Sequence, residues 1–76
     1  MRLSQVEVGN KVHLEGIDAG RGLQARLAAM GLTPGVQIEV VRNAGFGPFI
    51  IAVKDTRLVL GRGMADKVLI RQAETE

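Results

Sequence analysis

The side chains best suited to chemistry in this 76-residue chain cluster near its beginning: His13, Glu15 and Asp18. An imidazole beside two carboxylates suits ferrous iron or zinc. The spacing argues against a ligand set, because His13 and Glu15 share the outward face of one alternating run, where polar residues are expected to meet water. His13 is the sole histidine and there are no cysteines, so paired-histidine, thiolate and iron-sulfur sites are excluded. No metal and no cofactor is expected.

Gly20-Arg-Gly22-Leu-Gln-Ala25 matches the G-x-G-x-x-A pattern of dinucleotide sites, with Glu39 at a suitable distance beyond. That loop works only between a strand of a covered parallel sheet and its helix. The preceding run, Lys11 to Glu15, alternates instead, and the chain is too short for a Rossmann domain. Nucleophiles are limited to Ser4, Thr33, Thr56 and Thr75 with one histidine, and Ser4 reads as the cap of a short N-terminal turn. Asp18, Asp55 and Asp66 fall in turns, where aspartate is ordinary. No catalytic residue is assigned and enzyme activity is not expected.

The elements that would position any site are mostly strands. Valine and isoleucine total fourteen and are punctuated by ten glycines, the composition of short strands joined by turns. Lys11 to Gly16 places Val12 and Leu14 inward, with Ile17 continuing that side. Arg21 to Met30 changes period, setting Leu23, Leu27 and Met30 on one helical face, with Asp18 as a cap and Gly31 as the left-handed stop. Thr33-Pro34-Gly35 then turns the chain into Val36 to Arg42, which aims Val36, Ile38 and Val40 inward.

Asn43 to Gly47 is a glycine-rich hairpin loop leading to a strand from Pro48 to Lys54, with Phe49, Ile51 and Val53 inside. Asp55-Thr56 turns into Arg57 to Gly61, where Leu58 and Leu60 face the core. Arg62 to Asp66 reads as irregular, with at most one turn of 3₁₀ helix. Lys67 to Arg71 is the last strand, burying Val68 and Ile70, and residues 72–76 form a polar tail expected to fray. Five strands with one helix after the first predict a single, mostly β domain over residues 1–76: a small SH3-like, five-stranded antiparallel barrel whose closure removes most free edges.

Arg26-Leu-Ala-Ala-Met-Gly-Leu-Thr-Pro-Gly35, the alternating strand after it and Gly47-Pro48 carry a family resemblance. With the leading segment Leu3 to Gly9 and the late leucines Leu58 and Leu60, this pattern resembles the FeoA family. The resemblance implies an SH3-like accessory protein of bacterial ferrous iron uptake that associates with the cytosolic part of the FeoB transporter, and it implies no catalytic site. The related C-terminal domain of diphtheria-toxin-type repressors shares the fold but follows DNA-binding and dimerisation regions, for which this chain has no room.

A second reading, a nucleic-acid-binding or metal-regulator-type SH3-like domain, has less chemistry behind it. The formal charge is only +2 with the cations dispersed, and there is no Trp or Tyr and two Phe for base stacking. No apolar run approaches the roughly 18 residues of a membrane span, and the opening Met-Arg-Leu-Ser-Gln-Val-Glu-Val is too polar for a signal peptide. The expected compartment is the cytoplasm, without membrane insertion.

Protein binding has a positive signal. If Phe49, Ile51 and Leu58 point inward, period two turns Ile50, Ala52 and Val59 outward, with Val41 nearby, as an apolar patch on neighbouring strands. Phe46, at a flexible loop tip, joins them at the edge. Phe46, Ile50, Ala52 and Val59 are the expected partner-binding residues, with self-association as the alternative use of the same surface.

Overall fold

The computed structural model describes residues 1–72. A 3₁₀ turn, Leu3–Gln5, precedes β1 (Lys11–Ile17), α1 (Arg21–Ala29), β2 (Gln37–Arg42), β3 (Phe49–Val53), β4 (Thr56–Leu60), α2 (Arg62–Ala65) and β5 (Val68–Gln72). The strands form one sheet in the order β4-β3-β2-β1-β5, with every pairing antiparallel. β1 is shared: Val12 lies opposite Ile38 of β2 on one side and Gln72 of β5 on the other. The expected barrel is therefore a curled sheet wrapped on its own core. Its outer strands β4 and β5 are not paired with each other, so an open seam replaces full closure.

Two register shifts bend the sheet, one between Leu14 and Gly16 and one between Val40 and Arg42. The extra residue at such a shift has no opposite number on the neighbouring strand, and local twist increases around it. Period two aims Val12, Leu14, Ile38, Val40, Phe49, Ile51, Val53, Leu60, Val68 and Ile70 into one core, while Leu58, Ile17 and Val36 are partly buried against it. Leu3 and Val6 from the N-terminal segment and Ala65 from α2 complete that core.

The end of α1 differs from the helical-face reading. Leu27 is fully buried and Leu23 half-buried, but Met30 is 38% exposed. Met30 is the C-cap, and Gly31 follows at φ +95°. The amide of Leu32 donates to the Leu27 carbonyl at 3.0 Å and that of Gly31 to Ala28 at 2.9 Å. This paired arrangement reverses the chain and brings the residue after glycine back against the last helical turn. Leu32, not Met30, therefore fills the core beside Leu27.

Other local expectations shift as well. Asp18 does not cap α1: Gly20 holds that position, Asp18 accepts from Arg2 Nη2 at 3.1 Å, and Gln24 Nε2 donates to the Ala19 carbonyl at 2.7 Å. Arg62 to Ala65 is one turn of α-helix rather than 3₁₀. The β3–β4 turn is Lys54-Asp55, with Thr56 already in β4, and Lys54 adopts φ +57°. Two-residue hairpin loops favour positive φ at the first central residue, because the twist of such turns matches that of the strands. Of the polar tail, Gln72 is the last residue of β5 and the rest lies outside the described residues.

Truncating Leu27 to Ala should lower unfolding stability by about 2 to 5 kcal/mol, whereas Met30→Ala should cost under about 1 kcal/mol. Comparable urea midpoints for the two variants would contradict the placement of α1. Lys54→Gly should raise stability by about 0.5 to 1 kcal/mol, since glycine takes positive φ without the Cβ clash; a lower thermal midpoint would count against that turn geometry.

Candidate functional site

The outer face of β2 and β3 is built from residues that the core rejects. Ile50 and Ala52 alternate with buried neighbours, and the ladder sets Ile50 opposite Val59 and Ala52 opposite Arg57. On the other side, Ala52 faces Glu39 and Ile50 faces Arg42. The register shift leaves Val41 without an opposite number on β3. An unpaired bulge residue is re-aimed relative to a regular strand, and here it is aliphatic.

The N-terminal segment adds the next wall. The Gly9 amide donates to the Val40 carbonyl at 2.8 Å, and the Val40 amide donates to the Asn10 carbonyl at 3.2 Å. These bonds place Val8, 56% exposed, beside the bulge. Val8, Val41, Arg42, Asn43, Ala44 and Ile50 surround an open hollow of about 500 Å³. Its walls are largely aliphatic, with Arg42 as the charged residue among them.

Asn43 fixes this arrangement from below. Its Nδ2 donates to the carbonyls of Ser4 at 3.2 Å and Val6 at 2.9 Å, while Arg62 Nη2 donates to its Oδ1 at 2.6 Å. Arg62 in turn lies over the Phe49 ring, 5.5 Å from its centroid. One amide thus joins the N-terminal segment, the end of β2 and α2. The hydroxyl of Ser4 donates to Asp66 Oδ1 at 2.6 Å, so Ser4 ties its turn to the α2 end instead of capping it.

Of the four residues expected to bind a partner, Ile50 and Val59 come together as direct cross-strand neighbours, with Val59 65% exposed. Ala52 lies on the same face but opens on a second, more polar hollow of about 460 Å³ that includes Lys11, Glu39 and Lys54. Phe46, 76% exposed, stands outside the residues lining either hollow. Val8, Asn43 and Ala44 join the site without having been expected there. An aliphatic residue just before Gly9 is the one signal for Val8, and a lone asparagine after a strand gives none for its three bonds.

The residues first considered for chemistry do not converge. His13 sits between Gln37 and Arg71 in the ladders, with Nδ1 buried and unpartnered, while Asp18 is held by Arg2. Among the described residues, no three His, Cys, Asp or Glu side chains group as a metal site. The strand preceding Gly20 and Gly22 is antiparallel to both neighbours, so the parallel frame a dinucleotide loop needs is missing. Among the described residues no helix is long and apolar enough to cross a membrane.

The model of the FeoA domain matches residues 1–72. This chain belongs to the FeoA domain family. It is 39% identical over 72 residues to a Methanocaldococcus jannaschii protein provisionally described as Fe(2+) transport protein A, covering 95% of this chain and 87% of that protein. A crystal structure of an iron uptake regulatory protein, FeoA, superposes with a TM-score of 0.89 at 36% identity, covering 96% of this chain and 97% of that one. The zinc complex of Stenotrophomonas maltophilia FeoA, described as a prokaryotic SH3 domain protein, gives a TM-score of 0.82 at 24% identity, covering 93% and 89% of the two chains. At that identity the likeness concerns the fold, which is the SH3-like architecture the strand pattern predicts.

Within this FeoA domain, Asn43→Ala should cost about 1 to 3 kcal/mol, because the part-buried carbonyls of Ser4 and Val6 lose their donor. Amide hydrogen exchange should quicken at Val6 to Asn10 more than in β3. Unchanged exchange there would show that Asn43 does not seat the segment.

Proposed function

We propose that this chain is an accessory protein of ferrous iron uptake. It works in the cytoplasm as a single non-catalytic domain spanning residues 1–76, and docks on the cytosolic part of a FeoB-type transporter. Family membership and the description of its Methanocaldococcus jannaschii relative support the pathway. The observation that carries the docking surface is the aliphatic hollow of Val8, Val41 and Ile50, continued across the ladder by Val59. Removing such a cluster from water is favourable, at roughly 25 cal/mol per Å² of apolar area before association costs, and a few central residues then dominate affinity.

Arg42 at the hollow, with Lys54 and Arg57 further along the face, supplies a basic rim. Rim charges steer encounter more than they strengthen the complex. In this reading Phe46 and Ala52 contribute at the periphery of the contact, which the exposed loop position of Phe46 and the hollow beside Ala52 support.

Val8→Asp and Ile50→Asp should each weaken binding to the transporter's cytosolic part by more than about tenfold in a pull-down or calorimetric titration. Val8→Asp should keep the wild-type melting temperature, since Val8 is exposed, while the half-buried Ile50 should lose some stability on gaining a charge. Wild-type affinity in both variants would mean that a different face docks.

A further inference from the structure

The two edges of the sheet are treated differently. On the β5 side, the Ile70 amide donates to the Met1 carbonyl at 2.9 Å and Arg2 bridges Leu69, so the chain's own N-terminus covers that edge. On the β4 side, none of the described backbone hydrogen bonds outside the ladder to β3 engages Thr56 to Leu60. Unpaired edge strands are templates for another strand, and proteins usually block them with short strands, charged side chains, proline, bulges or a covering segment. β4 is five residues long and carries one charge, Arg57; it contains no proline, and its register to β3 runs without a shift.

The register also says which backbone groups are free. Val53 and Thr56 flank a two-residue loop, and such a turn is closed by a hydrogen bond between its first and fourth residues. Bonded and non-bonded pairs alternate along an antiparallel ladder, so Thr56, Leu58 and Leu60 turn their N–H and C=O toward β3. Arg57 and Val59 turn theirs outward.

We propose that β4 is a self-association edge, pairing antiparallel with β4 of a second copy of this chain about a two-fold axis at Leu58. That register matches Arg57 with Val59 of the second copy twice over, giving four backbone hydrogen bonds. It sets the aliphatic stem of each Arg57 against Val59, with no cation facing a cation. An axis at Arg57 would oppose two guanidinium groups. An axis at Val59 would require Gly61, which lies outside β4 as the N-cap of α2, to serve as a strand partner. Only the Leu58 axis keeps both outward pairs inside β4.

The axis is perpendicular to the sheet, so both copies keep the Ile50 and Val59 surface on the same side. One strand pair buries less than the roughly 1,200 Å² of a standard stable interface, so the dimer is weak and concentration-dependent. This inference does not rest on the transporter reading: it needs only the edge and its register.

Sedimentation equilibrium of the full chain between about 10 µM and 1 mM tests it. The wild type should dimerise reversibly in that range. Val59→Glu places a carboxylate opposite Arg57 twice and should tighten the dimer by about 2- to 30-fold, while Val59→Arg should weaken it by a similar factor. In a concentration series by NMR, the amides of Arg57 and Val59 should shift while those of Leu58 and Leu60 stay nearly fixed. The proposal is overturned if neither wild type nor Val59→Glu dimerises up to about 1 mM, if Val59→Glu weakens the dimer, or if the shifting amides lie outside β4.

Discussion

The side-chain amide of Asn43 is the constraint on which the site side of this molecule depends. It bonds two carbonyls of the N-terminal segment and accepts from Arg62, so three pieces of chain distant in sequence share one small polar group. Buried or part-buried polar groups need partners, and a single amide that satisfies several at once fixes their relative positions. Leu3 and Val6 then complete the core from the side, and Val8 is delivered to the surface next to Val41. The ion pair of Arg2 with Asp18 reinforces the same segment, but both groups are exposed and such pairs contribute at most about 1 kcal/mol.

Sheet curvature does the rest. A single sheet can wrap one core only by bending, and register shifts, where local twist increases, interrupt the β1–β5 and β2–β3 ladders. The shift at Val41 has a second effect: it turns an aliphatic side chain out of the regular ladder toward Val8 and Ile50. A curled five-stranded sheet in so short a chain cannot cover both faces, and α1 contributes only Leu27 as a fully buried residue. Aliphatic groups therefore remain on the outer face of β2, β3 and β4, and among the described residues β4 has β3 as its one strand partner.

The inward face of each strand is legible in the residue order alone, because period two and hydrophobicity together decide it. Val12, Leu14, Ile38, Val40, Phe49, Ile51, Val53, Val68 and Ile70 are all buried as the alternation predicts. The same rule turns Ile50 and Val59 outward and places them on neighbouring strands. The Met-Gly-Leu junction after the helix is legible too, since its glycine takes a positive φ that other residues rarely adopt and so marks where the helix must stop.

What the linear pattern could not decide were the positions set by long-range geometry. Leu32 replaces Met30 in the core because a glycine-terminated helix folds its second following residue back onto the last turn, which helical periodicity alone does not register. Asp18 pairs with Arg2 and Ser4 with Asp66 because β5 and α2 return beside the N-terminus, a closeness that sequence spacing hides. Val8 joins Ile50, and Ala52 separates from it, through register and a bulge rather than through composition. Local alternation thus determined which side chains leave the core, and only the tertiary pairing decided which of them meet, because neighbours across a sheet are chosen by hydrogen-bond register.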